Sequence, residues 1–138
     1  MPYSPDQVFD LVADVEAYPE FLPWCAAARI KSREQVQNDE ILNADLVVSF
    51  KVFREKFGSQ VRLARSVHLI ETEYLDGPFK YLKSHWKLSA MGTGCRAEFH
   101  VDFEMKNFFL QKAVGAVFDE AMRKIVGAFE ARAKDLYG

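Results

Sequence analysis

The chain has 138 residues, 49% of them hydrophobic, and a formal net charge of −2 at pH 7. Those values predict one globular domain, residues 1–138, with a core of its own, and they exclude a dominant phosphate-binding face, so DNA is not an expected partner. No apolar run approaches the roughly 20 residues of a membrane span, the start lacks the pattern of a secretory leader, and Cys25 and Cys95 form no CxxC pair. A reducing, cytoplasmic setting is expected.

Ser4-Pro5-Asp6-Gln7 reads as a helix start, with Ser4 as cap, Pro5 at the first helical position and Gln7 placed to complete a capping box. Val8, Phe9, Leu11, Val12 and Val15 supply the apolar stripe, and Asp14 can cap a second short helix before Pro19 and Pro23 stop it. From Ala27 to about Asn107 the period changes to two. Leu46, Val48, Phe50 and Val52 alternate with Val47, Ser49, Lys51 and Phe53, and Arg54-Glu55-Lys56 reads as a charged hairpin tip. Val61 and Leu63 continue the pattern, a parity change predicts a turn near Ser66–His68, and Ile70, Thr72 and Tyr74 follow on one face. Asp76-Gly77-Pro78 and Met91-Gly92-Thr93-Gly94 are turns, and between them Leu82, Ser84, Trp86 and Leu88 share a face. Phe99, Val101, Phe103 and Met105 mark the last strand. Beyond Asn107 the period returns to 3.6 for about thirty residues, with Leu110, Val114, Val117, Phe118, Ala121, Ile125, Ala128 and Phe129 on one stripe and Gly138 at the end. A sheet greasy on one face and a helix greasy on one stripe must cover each other, which predicts an α+β domain with a curved antiparallel sheet around a C-terminal helix.

Catalytic patterns are weak. His85 and His100 fall on the polar parity and His68 falls at a turn, so all three are expected to face water. Glu71 with Glu73, and Asp102 with Glu104, share outward faces and cannot flank a cleft as an acid and base pair must. Cys25 has no basic neighbour in sequence and reads as an inert thiol. No catalytic residue, metal site or catalytic cofactor is expected, and no enzyme. The unusual feature is aromatic content, 14% of the chain, with many rings on the inward parity. Such rings either fill a core or line an apolar pocket between sheet and helix, and composition leaves both open.

Pro2-Tyr3-Ser4-Pro5 with Tyr18-Pro19-Glu20-Phe21-Leu22-Pro23-Trp24-Cys25 resembles the opening signature of the coenzyme Q-binding proteins of the START superfamily, a polyketide cyclase/dehydrase-like superfamily that also contains the ribosome association toxin RatA. Arg54-Glu55-Lys56-Phe57, Asp76-Gly77-Pro78-Phe79 with Leu82 and Trp86, Phe118-Asp119-Glu120, Phe129-Glu130-Ala131-Arg132-Ala133 and Leu136-Tyr137-Gly138 extend the likeness over nearly the whole chain. The resemblance implies a helix-grip fold, START/Bet v 1-like, enclosing a lipid-sized tunnel. It also implies a non-catalytic chaperone or carrier that binds ubiquinone or a related polyprenylated quinone in support of respiration and quinone biosynthesis, with peripheral contact at the inner face of the respiratory membrane. The expected wall is Phe21, Trp24, Leu46, Val48, Phe50, Val61, Leu63, Tyr74, Phe79, Leu82, Trp86, Phe103, Val114, Phe118 and Met122, with Phe21 and Trp24 at the mouth. Family members carry a strand ahead of the Pro-Tyr-Ser segment, where this sequence has Met1: either the strand is absent, which would leave a sheet edge open to a partner chain and favour an oligomer, or Met1 is internal to the gene product. The alternative is a RatA-type regulator binding ribosomal subunits, for which Lys51, Arg54, Lys56, Arg62 and Arg65 are the candidate basic surface. A polyketide cyclase or aromatase ranks third, since only Thr72, Ser84 and Tyr74 offer inward polar groups.

Overall fold

The computed structural model describes residues 2–50, 53–77 and 79–138, with Phe50 and Phe53 through their backbone alone. The first described element is a helix, α1, Pro5–Ala13. The Ser4 hydroxyl accepts from the Gln7 N–H at 3.2 Å and the Gln7 carboxamide accepts from the Ser4 N–H at 3.0 Å, the reciprocal capping box read from sequence. A 3₁₀ segment, Val15–Glu20, follows. The expectation of an absent leading strand concerns Met1 and what would precede it, outside the described residues.

Six antiparallel strands then run as a meander: β1 (Cys25–Val36), β2 (Asp39–Phe50), β3 (Phe53–Ala64), β4 (Leu69–Asp76), β5 (Phe79–Met91) and β6 (Gly94–Met105), ordered β1-β2-β3-β4-β5-β6. A 30-residue helix, α2, Phe108–Tyr137, closes the chain, with Asn107 accepting from the N–H groups of Phe109 and Leu110 at 2.8 and 3.2 Å. Register breaks in β1, in β3 between Gly58 and Ser59 and in β5 between Phe79 and Tyr81 accompany a curved sheet whose concave face receives α2. This is the helix-grip arrangement.

Arg54, Glu55 and Lys56 prove to be strand residues, opposite Ser49, Val48 and Val47, so the charged run is not a hairpin tip. A strand with alternating charge on its outer face looks like a tip when its pairing partner is unknown.

A meander places alternate strand ends together. The start of β1, the β2–β3 and β4–β5 connections, the end of β6 and the start of α2 share one end of the sheet. The opposite end is covered by α1, whose Val8, Phe9, Leu11 and Val12 are buried with Leu42, Leu63, Leu88, Cys95 and Ala133. Arg65 lies 4.4 Å over the Phe9 ring and reaches Asp10 at 2.5 Å, and the Tyr137 hydroxyl donates to the Gln7 carbonyl at 3.1 Å. His68, expected in water, is half-buried and within 2.9 Å of Asp6. One end of the grip is therefore stoppered and the other is not covered by α1.

Candidate functional site

Inward residues of adjacent strands meet across the ladder: Leu46 opposite Phe57, Val61 opposite Thr72, Thr72 opposite Ser84, Ser84 opposite Val101, and Trp86 opposite Phe99. Together with α2 they leave a cavity of about 270 Å³ between sheet and helix. Trp24, Leu46, Val48, Val61, Leu82, Trp86 and Met122 line it, as the sequence reading placed them. Trp24 sits in the left-handed region (φ 66°) while its carbonyl accepts from the Ser49 N–H at 2.8 Å, so a sharp corner held to β2 delivers the indole to the cavity.

The remaining expected wall residues lie elsewhere. Phe21 packs edge-on against Phe129 at 5.3 Å and Tyr18 at 6.1 Å, beneath the Arg132 guanidinium at 5.2 Å, and so glues the 3₁₀ segment to α2 in place of framing a mouth. Leu63 belongs to the core under α1. Tyr74, Phe79, Phe103 and Phe118 form a chain of rings with centroids 5.3 to 6.1 Å apart, joined by Phe57 at 5.4 Å from Phe79. Rings this close, edge to face except for the tilted Phe103–Phe118 pair, fill the space they were expected to line. Val114, one turn before Phe118 on α2, is half-buried and does not reach the cavity, and the Phe50 side chain lies outside the described residues.

Further lining comes from Val12, Val15, Tyr18, Leu22, Pro23 and Cys25 before or at the first strand, from Phe57, Ser59, Ile70, Thr72, Ser84, Phe99 and Val101 on the sheet, and from Ile125 and Phe129 on α2. Phe57 and Ser59 share the parity of Val61 and were legible on that signal alone; Ser59 was missed because a polar residue reads as outward-facing. The N-terminal contributors required the docking of α1, which no local pattern carries.

The wall is neutral. Its titratable members are Tyr18 and Cys25. Burial pushes the Tyr18 phenol up, with the Cys25 and Asp14 charges adding to it, and the hydroxyl donates to the Val12 carbonyl. Burial also raises the Cys25 thiol, only partly offset by its contact with the Ala27 carbonyl at 3.7 Å. Ser59 is fully buried and its hydroxyl has no hydrogen-bond partner. Among the described residues no cluster of His, Cys, Asp and Glu could hold a metal ion, and no helix is long and apolar enough to cross a membrane.

Residues 1–130 match the sequence pattern of the family described as polyketide cyclase/dehydrase and lipid transport. The chain belongs to that family. It is 41% identical over 139 residues to the ribosome association toxin RatA of Rickettsia prowazekii, covering 99% of this chain and 92% of that one. It is 30% identical over 141 residues to a mitochondrial coenzyme Q-binding protein homolog of Xenopus laevis, covering 99% of this chain and 56% of that one. Among solved structures, the 18 kDa protein CC1736 of Caulobacter crescentus superposes with a TM-score of 0.84 at 38% identity, over 100% of this chain and 93% of that one. A START superfamily protein of Mycobacterium smegmatis superposes with a TM-score of 0.82 over 99% and 93% at 20% identity, a likeness of fold.

Proposed function

We propose that the chain binds an apolar small molecule in this cavity and acts without turnover, as a binding or carrier protein. The observation that carries the reading is the cavity wall itself, built from aliphatic and aromatic side chains with two tryptophans and no ionised group. Burial holds Tyr18 and Cys25 protonated at neutral pH, which leaves an acid or base chemistry without an obvious agent there. At about 270 Å³ the cavity sits at the lower edge of ordinary ligand pockets, roughly 300–1,000 Å³. A polyprenylated quinone of the ubiquinone type fits this chemistry if its ring and first isoprene units enter and the rest of the tail leaves beside Trp24 and Val48, on the β1–β2 side of the end away from α1. Each buried CH₂ contributes about 0.8 kcal/mol, so a short enclosed stretch suffices for binding. Membrane contact belongs to the same reading, because Phe108 and Phe109, 72% and 79% exposed, stand at that end. Organic extraction of the purified protein followed by mass spectrometry tests it: a bound lipid or quinone is the expected outcome. A chain that carries none, and takes none up on titration, overturns it.

A second reading is favoured by kinship. The relative at 41% identity bears the name of a ribosome association toxin, and this weighs more for a ribosome-directed role than the 30% relative does for quinone in particular. The basic surface expected for that role supports it poorly. Arg54 is exposed, but Arg62 pairs with Asp39 at 2.6 Å, Lys56 with Asp45 at 3.5 Å and Arg65 with Asp10 at 2.5 Å, while Lys51 lies outside the described residues. Cosedimentation with ribosomal subunits at near-physiological salt decides between a ribosome-associating ligand binder and a carrier alone.

A further inference from the structure

A fully buried serine with an unpartnered hydroxyl is costly in an apolar wall, and alanine would fit there without that cost. Ser59 does not stand by itself. Thr72 on β4 is directly opposite Ser84 on β5, and Ser59 on β3 is one step diagonal to Thr72, since Ser59 pairs with Tyr74 and Val61 with Thr72. Residues directly opposite on a sheet face stand about 5 Å apart at Cβ, and diagonal neighbours about 7–8 Å. The meander thus sets three hydroxyl-bearing residues in a short row across three strands, all three lining the cavity, among Val61, Ile70 and Trp86.

We infer that this row, with Ser59 at its buried end, recognises one uncharged oxygen function, a carbonyl or hydroxyl, on an otherwise hydrocarbon ligand. A hydroxyl can donate to a carbonyl or both donate to and accept from an alcohol, so the row serves either head. A carboxylate or phosphate head is disfavoured, because among the described residues no lining side chain is a lysine, arginine or histidine and an unpaired charge would have to be desolvated. The inference rests on the apolar-ligand reading above and adds to it where the ligand's oxygen lies and which residues select for it.

The test compares molecules of equal chain length and different head: 2-decanone, 1-decanol, decanoate and decane. Binding is read on the intact protein through the fluorescence of Trp24 and Trp86, both in the cavity wall, with competition against a ketone-loaded sample for decane. The wild type is expected to prefer the ketone and the alcohol over decane by about fivefold to tenfold, the net worth of one buried hydrogen bond. Decanoate should bind no better than decane. Ser59→Ala, which removes one atom and no packing, should abolish the preference for the oxygenated probes and leave the decane affinity within about twofold; Thr72→Val is the second variant and should reduce it. Preference for the ketone that survives in both variants, or decane bound as tightly as the ketone by the wild type, overturns the hydroxyl row and leaves the apolar-ligand reading standing. A wild type that binds none of the four probes overturns both.

Discussion

Tyr18 shows how one side chain joins the N-terminal segment to the cavity. Val12 lies in the last turn of α1, where backbone carbonyls lack an intrahelical N–H, and the Tyr18 hydroxyl donates to that carbonyl while its ring packs edge-on against Phe129 at 5.5 Å. Because burial raises the folded-state phenol above its ordinary value of about 10, the folded chain holds this proton more tightly than the unfolded chain does. Its contribution to stability is therefore whole below pH ~10 and is lost as the pH climbs beyond it. Denaturant titrations at stepped pH should show stability falling above pH ~10 in the wild type, and a shallower fall in Tyr18→Phe, which at neutral pH should be less stable by about 1–2 kcal/mol. Equal slopes for the two proteins would show that other groups govern the alkaline limb. Nothing in the sequence around Tyr18 indicates this partner, since the bond depends on how the 3₁₀ segment folds back beneath α1. Ser59 is the same lesson on the sheet: its parity was available, and its chemical type concealed it.

At the scale of elements, the strands were legible because one face of the sheet is apolar, and alternation reports that face directly. The tight connections were legible from glycine. Gly77 adopts φ +136°, and a Cβ there would stand 2.7 Å from Phe57 Cβ and 3.1 Å from the Lys56 carbonyl oxygen. Gly77→Ala should cost about 1–3 kcal/mol in chemical denaturation and loosen the Phe57–Phe79 ring pair; a loss below ~0.5 kcal/mol would mean the turn adapts freely. The start of α2 carries the most exposed aromatic pair among the described residues, Phe108 and Phe109, flanked by exposed Lys106 and Lys112. Partial burial of two rings in a bilayer interface, with about 1 kcal/mol per lysine near anionic headgroups, predicts measurable partitioning onto vesicles containing anionic lipid. The double variant Phe108→Ser, Phe109→Ser should lower that partitioning by about tenfold or more without altering thermal stability. Unchanged partitioning would move the contact away from this end. The expected mouth residues were Phe21 and Trp24, and neither is among the large exposed hydrophobics; Phe21 is held against α2, and Trp24 faces the cavity with the Lys124 ammonium 6.0 Å from its ring.

The whole molecule is a grip with one end stoppered by α1 and Tyr137, a ring cluster near the start of α2, and a small neutral cavity that reaches from Val12 and Val15 to Trp24 and Val48. Filling that cavity separates packing from binding. Val48→Phe places a larger side chain into space that is otherwise unfilled, so folding stability should hold or rise slightly while probe affinity falls by about tenfold or more; a variant that binds as the wild type does would remove the cavity from the function. The order of elements, most of the inward residues of β2 to β6, the long closing helix and the family follow from local periodicity and from linked motifs along the chain. Whether the inward rings would fill or line was a tertiary decision. Phe57, Tyr74, Phe79, Phe103 and Phe118 come from β3, β4, β5, β6 and α2, and their sequence positions carry no sign that they meet in one cluster. Once those rings consume the volume near the start of α2, the remaining space falls over Ser59, Thr72 and Ser84. Side-chain volume is conserved across the whole interior and not along the chain, so a cavity can be located only after every ring has found its neighbours.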